Sequence, residues 1–380
     1  MNLRIYLILF VFTFISISCT ESVIGDTFNN DSQIKLIWFP SYSGDDFQKN
    51  KIALEWCLSY LGANIASQSP SLGVTSNSNT ITLDIDQLGF TKKAITELKK
   101  LHHVFKNSEE YRIHKAFDLG KYIAMTLGSS YHYYKIVDAP EHIDYYATAY
   151  HFNQLKGYID DSSVSLTGVH RIIKYSTLSN NNRQIFISSE IDPNTQEVKE
   201  FESLERMPNG QLKFAIFDVD GFLIPNAKSN VSRGGKPAKC LWCHEVNILP
   251  LFKQQNNFTD FLSFAQLTDT LNFYNFQLKT FQDNSWNNPS IQNKALHTNM
   301  ELSYISYMEP TAERLALEWN ISNTEVQILL NQIDTHRHDE FDFLGDLYHR
   351  SDINAFAPFE TIKPPSSIRE ESSSEPNLLK

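Results

Sequence analysis

The spacing of hydrophobic and polar positions changes along the chain, and each change predicts a different kind of element. Between residues 35 and 160, alternating runs such as 80–85 are mixed with runs such as 94–101, where apolar residues recur every three or four positions. Alternation is typical of strands, and the longer period is typical of helices. We therefore expect residues 35–160 to form a mixed α/β domain.

A strand-rich block follows over residues 161–228. Its alternating segments are separated by turn-forming residues, and they comprise 169–175, 184–188, 198–205 and 212–218. The intervening Asn180-Asn181-Asn182, Asp192-Pro193-Asn194 and Met207-Pro208-Asn209-Gly210 favour tight turns. Strands at this spacing predict an antiparallel β-meander.

Helical periodicity dominates most of the next region, residues 229–350. Within it His297, Met300, Tyr304 and Met308 fall on one face of a predicted helix. Residues 351–380 become rich in Pro, Ser and Glu from Pro364 onwards, and this composition predicts a disordered tail. Taken together, the pattern predicts an α+β fold.

The N-terminus has the features of an export signal over residues 1–19. Arg4 precedes an apolar run over 5–15, which is too short to span a bilayer stably. Ser16-Ile17-Ser18-Cys19 resembles a bacterial lipoprotein processing site, with Cys19 as the lipidated residue and 20–34 as a tether. We expect a lipid-anchored protein facing the periplasm or the cell surface. The alternative is an ordinary signal peptide with an incidental cysteine.

The clearest chemical motif is Cys240-Leu241-Trp242-Cys243-His244, which contains two of only four cysteines in 380 residues. Two thiols at this spacing can add to the two vinyl groups of one haem, and the following histidine becomes the proximal iron ligand. The motif therefore predicts one covalent haem c held by Cys240, Cys243 and His244. Such haem is attached outside the bacterial cytoplasm, which agrees with the export signal.

Three other interpretations of the two cysteines are a redox pair, half of a zinc site and a structural disulfide. A zinc site would need a second pair of ligands, and no second CxxC occurs in the chain. A redox pair usually lies within a βαβ pattern, which this region lacks.

The second axial ligand of the haem is predicted from the helical face described above, in the order Met308, Met300 and His297. With such a ligand the protein would perform one-electron transfer to a redox partner protein. With an open position it would be a ligand-binding or redox haem enzyme, or a sensor. A third hypothesis, from another class, is a haem-free surface lipoprotein that acts as a binding module.

The order of elements before the motif resembles a known family. A last strand, the turn Asp218-Val219-Asp220-Gly221, a loop and the CxxCH motif resemble the β-rich cytochrome c-prime-beta family and its hydroxylamine-oxidising relatives, over about residues 169–244. The resemblance implies a β-sheet haem domain. The loop 229–239 is basic, and it is expected either to pair with haem propionates or an acidic partner, or to be solvated.

The net charge and the remaining polar residues bear on possible nucleic-acid partners and metal sites. A net charge of −11 argues against a nucleic-acid partner. Asp218 to Gly221 does not continue as a calcium loop, because Ser229 stands where a ligating Glu is needed. His336, His338 and His349 are interpreted as a solvated helix terminus rather than as a metal site or a source of a distal ligand.

Overall fold

A computed structural model describes residues 31–365 and 375–380, and it shows an α+β fold built on two β-sheets. The predicted signal peptide with Cys19 and most of the tether lie outside the described residues. The fold class expected from the hydrophobic pattern is confirmed. None of the described helices is long and apolar enough to cross a membrane.

The first sheet has four strands in the order β2-β3-β1-β4. These are β1 Gln33–Ile37, β2 Val74–Asn77, β3 Thr80–Asp84 and β4 Phe117–Asp118. Antiparallel pairing of β1 with β3 places Ile34 beside Leu83 and Leu36 beside Ile81, and all four are buried. This shared apolar face follows from the two-residue period of both strands.

Six helices lie between β1 and the second sheet in the sequence. They are α1 Phe47–Tyr60, α2 Lys92–Asn107, α3 Glu109–His114, α4 Leu119–Ile123, α5 Ser130–Ile136 and α6 Asp144–Ala149. The segment 108–127 is divided into several short elements. Lys115 adopts a left-handed conformation with φ of 55° and ends α3. The short strand β4 follows, then α4 and a π-helical turn over Ala124–Gly128.

The second sheet is an antiparallel meander of six strands in the order β10-β9-β8-β7-β6-β5. Its strands are β5 Gly157–Ile159, β6 His170–Tyr175, β7 Gln184–Ile191, β8 Val198–Arg206, β9 Leu212–Phe217 and β10 Leu223–Ile224. The four predicted strands are the central ones, β6 to β9, so the predicted meander is confirmed. The sheet also includes β5, which lies before the expected boundary at residue 161.

Both faces of the meander are covered. On one face Tyr146 of α6 contacts β8, with its hydroxyl 3.2 Å from that of Ser203. The other face is covered by α7 Pro237–His244 and α8 Phe264–Ser285, which contact β9 and β5 respectively. Apolar residues of both sheets belong to one continuous core.

The remaining helices are α9 Pro289–Gln292, α10 Thr298–Met308, α11 Ala312–Trp319, α12 Asn323–Leu329 and α13 Arg350–Ile353. Helix α10 packs against α1 and α4. Helices α11 to α13 have a small core of their own, which comprises Leu315, Trp319, Val326, Leu330, Tyr348 and Ile353. A buried ion pair and a buried hydrogen bond connect this unit to the rest. Arg314 lies 2.6 Å from Asp118, and the Arg350 side chain donates to the backbone oxygen of Tyr307.

The predicted disordered tail over 351–380 is described only in part, because residues 366–374 lie outside the described residues. Residues Asn354–Phe356 form a 3₁₀ turn directly after α13. Leu378 and Leu379 pack against the main core.

Candidate functional site

The Cys-x-x-Cys-His motif forms the second half of helix α7. Pro237 opens the helix, a position where its missing N–H is not needed. The helix ends at His244, because Glu245 and Val246 both have left-handed backbone angles, with φ of 43° and 63°. Burial of Leu241 fixes the rotation of the helix, so that Cys240, Cys243 and His244 all line one cavity.

The cavity lies between the meander, α7 and the segment that follows the motif. Its volume is about 170 Å³, and it opens to solvent. Alternate residues of five strands form its wall, and these are Ile159, Arg171, Ile173, Phe186, Ser188, Glu202, Leu204, Phe214 and Ile216. Leu249, Leu251, Phe252 and Leu271 close the opposite side. A largely apolar cavity with a few polar groups is typical of a cofactor or ligand site.

The His244 side chain is arranged as a metal ligand would be. Its Nδ1 lies 3.2 Å from the carbonyl oxygen of Asn247. A carbonyl only accepts hydrogen bonds, so Nδ1 carries the proton and Nε2 keeps a free lone pair. Burial lowers the pKa of His244 to about 4, which keeps the ring neutral. The ring also packs against Phe214, with centroids 5.5 Å apart.

The two thiols of the motif are unpaired, and so is buried Cys57. Burial raises the pKa of the Cys240 thiol, and the charge of Glu202 adds to that effect. A redox-active pair needs the opposite, a thiol whose pKa is depressed. No group of three or more metal-ligating side chains includes either cysteine in the described ranges. The geometry therefore gives no support to the redox, disulfide and zinc interpretations.

A cluster of buried charges borders the cavity on strands β6 to β8. Arg171 lies 2.5 Å from Glu190 and 3.1 Å from Glu202. Burial raises the pKa of Glu190 to about 7, although Arg171 opposes the shift. Burial also raises the pKa of Glu200 to about 8, while its bond from the Lys228 N–H opposes the shift. One arginine among three carboxyls leaves protons on the cluster near neutral pH.

The predicted distal ligands do not reach this cavity. Met300 and Met308 are buried on α10, which packs against α1 and α4. His297 packs against Trp56 with centroids 6.1 Å apart, and its Nδ1 lies 2.7 Å from the Lys294 carbonyl oxygen. Met300 and Met308 lie on α10 in the core between helices, whereas His297 precedes α10 and its Nε2 lies 3.8 Å from Glu245, the residue directly after the motif.

The basic residues of the loop before the motif occupy two different environments in the structure. Arg233 and Lys239 line the cavity, and the Lys239 ammonium donates to the Arg233 carbonyl oxygen over 2.7 Å. Lys236 instead is buried and forms an ion pair with Glu375.

The sequence did not single out Arg171 and Glu202 as site residues. The only available signal was polar residues at inward positions of strands that otherwise alternate regularly. The strand register places these residues close together. The pairing of β6, β7 and β8 brings Arg171 beside Glu190 and Ser188 beside Glu202.

Comparison of the chain with protein-family models, curated proteins and solved structures gives no match. The function of the candidate site must therefore be inferred from the geometry of its residues.

The contribution of the charge cluster to stability falls as pH rises. The pKa of Glu200 is raised from its ordinary 4.5 to about 8, so its stabilising contribution is complete below pH 4.5 and is lost towards pH 8. Each pKa unit corresponds to about 1.4 kcal/mol. We expect Glu200→Gln to reduce the decline in unfolding free energy between pH 5 and 8, measured by urea denaturation.

The matched control is Glu197→Gln, which changes an exposed glutamate just before the same strand. It should decline with pH as the unmodified protein does. If the Glu200→Gln and Glu197→Gln curves run parallel across this range, the charge cluster does not govern the pH response.

Proposed function

We propose that this chain is an exported, membrane-anchored protein that carries one covalent haem c and leaves one axial position of the iron for an external ligand. The observation that carries the proposal is that Cys240, Cys243 and His244 line a single apolar cavity. Among the described residues that line it, His244 is the only histidine and no methionine is present.

The residues present fit such a cofactor in their chemistry. The two thiols are free for thioether bonds, and the Nε2 lone pair of His244 is available because Nδ1 is already bonded. Haem supplies, when bound, an iron that can change oxidation state and take a small ligand. Arg233 and Lys239 provide positive charge at the cavity wall for the acidic edge of such a cofactor.

The chain's own polar residues would then set the environment of the open position. Ser188, Arg171 and Glu202 are the polar groups on an otherwise apolar sheet wall. Arg171 is held in place, because its Nε donates to Ser165 over 2.9 Å while two carboxylates neutralise it. A fixed donor and acceptor pair favours a small polar ligand over an apolar one. This favours ligand binding or redox catalysis over simple electron transfer.

Covalent attachment is tested with the cysteines. The double variant Cys240→Ser, Cys243→Ser should lose all haem that survives a denaturing gel, because no thioether bond can form, and peroxidase staining measures this. Cys57→Ala should keep it, since Cys57 is buried away from the motif. A haem-free unmodified protein from a host with the attachment machinery would favour the alternative of a surface binding module.

The open axial position is tested by spectroscopy. The unmodified ferric protein should bind cyanide readily and show no near-infrared band of methionine–iron ligation. Met308→Leu and Met300→Leu conserve side-chain volume, so they should leave the spectrum unchanged without disturbing the core. A methionine band that disappears in either variant would restore the electron-carrier hypothesis.

The membrane anchor rests on Cys19, which lies outside the described residues. Cys19→Ala should move the protein from the membrane fraction to the soluble exported pool, because acyl chains would be its attachment. Fractionation followed by immunoblotting measures the change. Unmodified protein that is already soluble would reduce Cys19 to part of a cleaved signal.

A further inference from the structure

Three side chains converge far along the chain from the haem motif. Atoms of Glu309, His336 and His349 that can ligate a metal lie within 4.8 Å of one another. His336 Nε2 is 3.1 Å from Glu309 Oε2, and the rings of His336 and His349 stack with centroids 3.9 Å apart. None of the three lines the cavity described above.

Backbone contacts hold these residues in place from three different segments. Glu309 directly follows α10, and its N–H bonds the Ile305 carbonyl oxygen over 2.7 Å. His336 pairs with Leu347 through two hydrogen bonds of 2.9 Å. His349 precedes α13, so it too is fixed at the end of a regular element. The expected solvated helix terminus is therefore a bridge between two extended segments.

The donor set matches one class of ion. Two imidazoles and one carboxylate are a recurring set of zinc ligands, with a fourth position left for water. Ligand atoms of a tetrahedral zinc ion, at bonds of about 2.1 Å, lie about 3.4 Å apart. The 3.1 Å between His336 and Glu309 is close to that spacing. Magnesium and calcium prefer shells made of oxygen, and only one residue here offers oxygen.

The protein alone leaves this cluster incompletely satisfied. His336 Nδ1 is buried and has no hydrogen-bond partner within the described part of the chain. When Nε2 binds the ion, Nδ1 carries the ring proton, so Nδ1 is not the ligand atom of His336. His349 is exposed, which gives an ion a path from solvent and lets its ring turn out of the parallel stack with His336, so that both rings can direct a lone pair at one ion.

We propose that Glu309, His336 and His349 bind a divalent transition-metal ion, with zinc as the best match. The ion connects the end of α10, in the main core, to segments that flank the small core of α11 to α13. Because that core is small and separate, a metal bond across its boundary stabilises its docking.

The test uses the full-length protein after chelator treatment, whether or not it carries haem. Titration with zinc chloride, followed by calorimetry and by measurement of zinc per chain after gel filtration, should give one equivalent. His349→Ala should raise the dissociation constant by more than about 100-fold. Since His349 is exposed, this variant is expected to fold, and circular dichroism checks that it does. Zinc should raise the melting temperature of the unmodified protein but not of His349→Ala.

His338→Ala is the matched control, because His338 lies two residues from His336 but outside the cluster. It should bind zinc as the unmodified protein does. Failure of the unmodified protein to retain zinc overturns the proposal. Equal retention by His349→Ala also overturns it, since the ion would then bind elsewhere. Magnesium chloride should produce no shift in melting temperature, and an equal shift would rule out a site selective for transition metals.

Discussion

Burial of the six-stranded sheet on both faces is the constraint on which the rest of the structure depends. Every residue of β7 and β9 is buried, so each charge on these strands must find its partner inside the protein. On the face covered by α6, Glu205 lies 2.8 Å from Lys213 and 2.6 Å from Arg183. On the cavity side Arg171 plays the same part for Glu190 and Glu202. By pairing with one another, the charged groups of the candidate site therefore also lower the free-energy cost of burying charge in the sheet.

The same sheet explains how the Cys-x-x-Cys-His motif is held in place. Helix α7 is only two turns long and would not be stable in isolation. Its buried Ala238 and Leu241 pack on the sheet, and the segment after it is bound by α8, where Asn275 accepts from the Ile248 N–H over 2.8 Å. The site therefore consists of a short local motif supported by contacts that come from distant parts of the sequence.

The difference between local motifs and contacts from distant segments explains which features could be predicted from sequence. The strands β6 to β9 were predictable because alternation and turn residues are local properties, and the CxxCH motif is local too. The positions of the predicted distal ligands could not be predicted, because periodicity shows which residues share a helical face, but not what that face contacts. Met300 and Met308 do share a face, and α1 covers it. Arg171, Glu202 and the group of Glu309, His336 and His349 depend on strand register and chain crossings, which composition and spacing do not encode.

A few contacts hold the last six residues of the chain against the rest of the protein. Lys236, directly before α7, is almost fully buried, and burial lowers its pKa to about 7. The Glu375 carboxylate opposes that loss of charge, and it also accepts from the Ser130 N–H over 3.0 Å. The Leu378 N–H donates to His132 Nε2 over 2.9 Å, which requires the neutral ring that burial maintains. The last six residues therefore supply the charge that lets Lys236 stay buried, and through it they help to fix the start of the helix that carries Cys240, Cys243 and His244.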